Sequence, residues 1–148
     1  MRMPKEVYKW IRSNINYKHD GKFNIPKDVA KNGYGDCHDQ AYLAQVLLEK
    51  IGYKCKRYFF IEYSENEESG GKTHTALIFY DKELKKYCWF ETAWGGQYGI
   101  HEYNSENAAI EDIKSKWEFG PKYDKLFIKQ TTVTSPMDFA KYVEKSIE

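Results

Sequence analysis

Gly33-Tyr34-Gly35-Asp36-Cys37-His38-Asp39-Gln40-Ala41 is the stretch whose reading decides the fold. Two glycines form a hinge, and the cysteine falls where helical spacing begins, with Ala41, Ala44, Leu47 or Leu48, and Ile51 recurring every three to four residues. Asp36 stands as the N-cap and Asp39, three residues on, completes a loose capping box. Gly52 closes the pattern where a terminating glycine belongs. A thiol at the first position of this helix faces the positive end of its dipole, which favours the thiolate.

Outward from this helix the periodicity changes to that of strands. Lys54 to Tyr63 is rich in aromatic residues, and a polar loop from Ser64 to Lys72 carries Gly70-Gly71. Thr73 to Tyr80 and Tyr87 to Thr92 follow as two further strands, so the pattern predicts an antiparallel meander packed on the Cys37 helix. His74 lies in the second strand and Glu91 in the third. If those strands form a hairpin with an even-numbered loop, opposed residue numbers sum to an odd value. His74 and Glu91 then share a sheet face, opposite or diagonal. A cysteine, a histidine and an acid, in that order, are the parts of a thiol nucleophile, its base and the group that orients the base.

The remaining chain frames these elements. Pro4, followed by Val7, Tyr8, Trp10, Ile11 and Ile15, predicts an N-terminal helix with proline in its first turn. A helical turn is expected at Lys27 to Lys31, a loop at Trp94 to Gly99, and a helix from Ser105 to Trp117 with Ser105 as N-cap. Leu126 to Val133 reads as a strand, and Ser135-Pro136-Met137-Asp138 opens a final helix. His19 and His101 read as loop residues without partners, and His38 as a weaker base than His74 because it leaves the helix in another direction.

Composition excludes several functions. The 148 residues fit one domain, 1–148, and 23 basic against 22 acidic residues leave no charged arm for nucleic acid or an anionic membrane. No apolar run could span a bilayer and the polar N-terminus lacks a signal-peptide core, so a cytoplasmic location is expected. The three cysteines, 37, 55 and 88, form no CxxC pair; Cys55 and Cys88, inside strands, read as buried small hydrophobes. No metal site and no cofactor are expected.

The motif Gly33-x-Gly35-Asp36-Cys37-x-Asp39-x-Ala41, the leucine-rich helix and Gly52-Tyr53 resemble the core of the transglutaminase-like superfamily. Trp10-Ile11-x-x-Asn14-Ile15-x-Tyr17 resembles the segment leading into that motif, and His74 and Trp89-Phe90-Glu91 resemble the family's histidine strand and acid strand. The resemblance covers roughly residues 7 to 94. It departs at Glu91, where the family usually has aspartate, and at Ala76, where it often has tryptophan. The longer acid requires the strand or the imidazole to shift, and the small residue could open an acyl pocket.

The resemblance implies an α+β, papain-like fold and acyl transfer through a thioester on Cys37, with His74 as base and Glu91 as its orienter. The expected substrate is a peptide or protein amide, with hydrolysis ranked above transfer to an amine; the oligomeric state stays open. The backbone N–H of Cys37 is one oxyanion donor, and Tyr34, Tyr17 or Gln40 is the second. Trp94 is expected to wall the cleft and contact substrate. Two rival readings are a binding module that keeps the fold without the chemistry, and an acyltransferase acting on small amines.

Overall fold

The computed structural model describes residues 1–132 and residue 134. Pro4 opens helix α1 (Pro4–Asn14) at a position where its missing N–H costs nothing, and Val7 and Ile11 turn inward to full burial. Strand β1 (Asn16–Tyr17) pairs in parallel with β2 (Tyr34–Gly35) in a two-residue ladder. Between them the expected helical turn is a full helix, α2 (Pro26–Asn32), again with proline leading. The short ladder lays the segment carrying Tyr17 beside the hinge that precedes Cys37.

Helix α3 (Cys37–Lys50) begins and ends as its sequence dictates. The Asp39 N–H donates to the Asp36 carboxylate at 3.0 Å and the Asp36 N–H donates to the Asp39 carboxylate at 3.2 Å, closing the capping box. At the other end the Gly52 N–H reaches the Glu49 carbonyl and the Tyr53 N–H reaches the Leu48 carbonyl, both at 3.0 Å, the two bonds of a Schellman stop. Leu48 and Tyr53 are both buried in the core beneath it.

A five-stranded sheet carries the rest: β3 (Cys55–Tyr63), β4 (Thr73–Asp81), β5 (Lys86–Glu91), β6 (Gly99–Tyr103) and β7 (Lys125–Thr131). Its order is β6-β5-β4-β3-β7 and every pairing is antiparallel. The fold is therefore α+β, with the cysteine helix packed on an antiparallel sheet. Leu77, Phe79 and Phe90 face α1 and α3, whereas Ala76, Ile78 and Trp89 face α4 (Glu106–Ser115), whose Ala109 and Ile113 are fully buried. Ser105 caps α4, its hydroxyl accepting from the Ala108 N–H at 3.0 Å.

Two expectations change: α4 ends at Ser115, short of Trp117, and an edge strand begins at Gly99. Gly99–Tyr103 is an edge strand rather than the end of a loop, and His101 sits within it. Its half-buried residues lack the alternation that marks a strand with one core-facing side. The last strand spans Lys125–Thr131, close to its expected bounds, and the helix expected from Ser135 lies outside the described residues. Among the described residues no helix is long and apolar enough to cross a membrane.

Gly35 ties the hinge to α3. A Cβ at this position would sit 2.8 Å from the Asp39 Cβ and 3.3 Å from Val29 Cγ1, so β2 closes on the first helical turn only because it lacks one. Gly35→Ala is expected to cost about 1–3 kcal/mol, read as a lower urea midpoint at unchanged m-value.

Candidate active site

The β4–β5 register pairs Leu77 with Phe90 and Ile78 with Trp89, sums of 167, so the parity expected of an even loop holds. Extending that register sets Ala76 across from Glu91 and leaves His74 on the diagonal. A diagonal gap is longer than a direct one, and the extra methylene of glutamate spans it. His74 Nε2 and Glu91 Oε1 are 2.7 Å apart, with both residues buried.

Glu91 is saturated with donors. Oε1 also accepts from the Trp89 indole N–H at 3.1 Å, and Oε2 accepts from the backbone N–H groups of Ala93 and Trp94 at 3.0 and 3.1 Å. Burial works against this carboxylate's charge, but the His74 ring and these N–H groups outweigh it and hold the group below its ordinary range. Burial likewise opposes a charged imidazole at His74, and Glu91 and the Cys37 thiol overcome it, raising His74 above its ordinary value. With Nε2 engaged by Glu91, Nδ1 is the ring nitrogen left for the Cys37 thiol, which lines the same cleft and helps raise the imidazole.

Cys37 and His74 reach each other from opposite sides of the sheet. Helix α3 covers the face of Leu77 and Phe79, His74 belongs to the face of Ala76 and Ile78, and the two meet where β4 begins. The meeting point opens into a cleft of about 470 Å³ lined by Cys37, His74, Tyr17, the Ala93–Gln97 loop, Lys72–Thr73 and Lys116–Glu118. Trp94 stands edge-on to His74, ring centroids 5.1 Å apart, and Trp117 packs against Trp94 at 6.0 Å.

The four secondary candidates separate. Tyr17 lines the cleft, and partial burial together with Cys37, Asp36 and Asp39 raises its phenol, which keeps the hydroxyl protonated as a donor. Trp94 lines it as well. Gln40 is turned into the protein: its amide nitrogen donates to the Gly35 carbonyl at 3.0 Å and its oxygen accepts from the Thr92 hydroxyl at 2.7 Å. Tyr34 does not line the cleft; its ring packs under Lys18, with Nζ 4.6 Å from the centroid. Ala76 is buried among Trp89, Ile78 and Tyr58, so it does not open an acyl pocket.

The other histidines have work elsewhere. His38 is buried and accepts from the Arg57 guanidinium at 3.0 Å; burial and that cation push it down to about 3, which keeps it neutral. His19 and His101 do have partners: His19 lies 3.2 Å from the Asp36 carboxylate, and His101 bonds the Gln97 carbonyl at 2.7 Å and packs on Trp89. Lys72, Thr73, Ala93, Lys116, Trp117 and Glu118 are cleft residues that sequence reading missed. Trp117 ends a helical pattern and looks like core, and nothing local says the chain returns to the cysteine.

With this geometry the chain can be set beside known proteins. It belongs to the transglutaminase-like superfamily, whose core matches residues 2–94. Membership supports a cysteine-dependent enzyme in general terms. A solved structure of a putative cysteine protease from Cytophaga hutchinsonii is similar over 87% of this chain, at 17% identity and a TM-score of 0.48. The chain spans 42% of the length of that protein. No curated protein matches the sequence.

The raised imidazole and the lowered carboxylate define a pH window. The ordinary values are 6.5 for histidine and 4.5 for glutamate. The histidine's contribution is complete below its ordinary value and fades as pH climbs through the raised one; the glutamate's is complete above its ordinary value and fades as pH falls through the lowered one. Glu91→Gln is therefore expected to cost about 3 kcal/mol between these two ordinary values, with the deficit shrinking at alkaline pH. Urea unfolding across pH measures it, and a pH-independent deficit would contradict the ion pair.

Proposed function

We propose that this chain catalyses cysteine-dependent acyl transfer at an amide bond of a peptide or protein, with water as the ordinary acceptor. One observation carries the reading: a buried imidazole, held by a saturated carboxylate at 2.7 Å and placed with Cys37 at the wall of an open cleft. In this reading the Cys37 proton already resides on His74, as the imidazolium that Glu91 balances. The thiolate attacks the carbonyl carbon. His74 then gives its proton to the departing amine, the C–N bond breaks, and a thioester remains on Cys37. Water attacks the thioester with His74, neutral once its proton has left with the amine, as base, releasing the carboxylic acid and restoring Cys37 beside the imidazolium.

The developing oxyanion needs donors that are already aimed. The Cys37 N–H belongs to the first turn of α3, where backbone N–H groups have no intrahelical acceptor, and Tyr17 is the second donor. Trp94 acts as a substrate wall that also shields the imidazole from water on one side. Hydrolysis ranks above transfer to an amine because the cleft is open and water reaches it without a dedicated second subsite.

Incubation with a mixed peptide library in H₂¹⁸O, with a biotinylated primary amine present, tests the assignment. New carboxyl termini or side-chain carboxylates carrying one ¹⁸O, absent in Cys37→Ala and reduced about a thousandfold in His74→Ala, are the expected result. Biotin incorporation would assign transfer to an amine instead. Activity that survives Cys37→Ala would overturn the nucleophile. Trp94→Ala is expected to raise KM about tenfold; unchanged KM and kcat would remove Trp94 from the substrate wall.

A further inference from the structure

Another buried carboxylate lies beside the cleft, outside the acyl-transfer chemistry. Glu62 is 1% exposed. Phe60 pairs with His74 across β3 and β4, so Glu62, two residues on, projects from the same sheet face as His74. One carboxylate oxygen accepts from the Lys72 backbone N–H at 2.8 Å. The other accepts from the Trp117 indole at 3.2 Å and the Gly120 backbone N–H at 3.0 Å.

The three donors come from two segments far apart in sequence, and both segments line the cleft. Lys72 and Thr73 form one side, Trp117 and Glu118 the other. The closure is tight. A Cβ on Gly71 would lie 2.3 Å from Glu62 Oε2 and 2.5 Å from Tyr123 Cε2, so the loop seats on the carboxylate only as glycine. Burial opposes the charge, but the Lys72, Gly120 and Trp117 donors keep the group below its ordinary range. Above the carboxylate, the Lys72 ammonium donates to the Glu118 carbonyl and joins the same two walls again. Trp117 stacks on Phe60 and meets Trp94, which meets His74.

A buried anion held by neutral N–H groups is a costly way to fill space. What it supplies here is a fixed separation. We infer that Glu62 is a positioning residue that fixes the Lys72–Thr73 and Trp117–Glu118 walls of the cleft relative to each other, and so sets how an extended substrate is held against Cys37. The inference rests on reading the cleft as the substrate site.

Glu62→Gln tests it, because glutamine has one acceptor oxygen where two are used and turns an NH₂ toward an N–H donor. The probes are a benzyloxycarbonyl-dipeptidyl chloromethyl ketone, which must lie along the cleft, and iodoacetamide, which reads the Cys37 thiolate alone. The expected result is a KI for the ketone raised about tenfold, with its kinact and the iodoacetamide rate within about twofold of wild type. Amide exchange should accelerate together at Lys72 and Gly120 and stay slow at Leu77 and Phe79. A fall of both labelling rates in parallel, or unchanged exchange at either amide, would overturn the inference. Should Glu62→Gln not fold, Glu62→Asp keeps the charge but draws the carboxylate one methylene back from its donors; a raised KI with an unchanged iodoacetamide rate supports the inference and an unchanged KI sinks it. A wild type that reacts with iodoacetamide but not with the ketone would sink the peptide-substrate reading, while amide exchange still decides the role of Glu62.

Discussion

The candidate site depends on a carboxylate kept out of water without being left unsatisfied. Glu91 ends β5, and four donors converge on it: the His74 ring, the Trp89 indole and the N–H groups of Ala93 and Trp94. The last two come from the turn that leads into the cleft wall. One side chain thus orients the imidazole and anchors the loop that carries Trp94. Removing its charge would strand a buried histidine, and shortening it would pull either the ring or the turn out of place. Glutamate meets a geometric demand here, because His74 lies on the diagonal of the hairpin.

The thiol side is built by independent means. The capping box of Asp36 and Asp39 fixes the start of α3, and Asn24 clasps Asp39 through its backbone N–H at 3.0 Å and its side-chain amide at 2.9 Å. Burial and the neighbouring Asp36 raise Asp39 to about 6, despite the donors that favour its charge. The β1–β2 ladder then brings Tyr17 to the same place from a segment twenty residues upstream (37 − 17 = 20). Cys37 and His74 are thus carried by separate elements, α3 and β4, which pack along the Leu77 and Phe79 face and bring the two side chains together at the start of β4.

Much of this was legible in the sequence because the determining signals are local. Cys37 stands at the head of a capped, glycine-stopped helix, and parity alone put His74 and Glu91 on one face of a hairpin. What parity could not supply was the choice between opposite and diagonal, which depends on the register set by the Lys82–Lys85 turn. The roles of Tyr34 and Gln40 were also beyond local reading: both flank Cys37 in sequence, but a helix start sends neighbouring side chains in different directions, and Gln40 goes inward to Gly35 and Thr92. Trp117 and Glu62 were illegible for a different reason. Each fits a local pattern in the sequence, Glu62 that of β3 and Trp117 that of the helix expected to run past the end of α4, and each acquires its place through contacts across more than fifty residues (117 − 62 = 55).

The central claim is that His74 activates Cys37. The measurement that tests it most directly is the rate of iodoacetamide labelling at each cysteine as a function of pH, located by mass spectrometry, in wild type and in His74→Ala. Cys55 and Cys88 are internal controls, since burial pushes both thiols up, Cys88 to about 12. The account predicts labelling confined to Cys37 at about pH 5–6 and lost in His74→Ala. Labelling of Cys37 that is indifferent to the His74 substitution, or absent until alkaline pH, would contradict it.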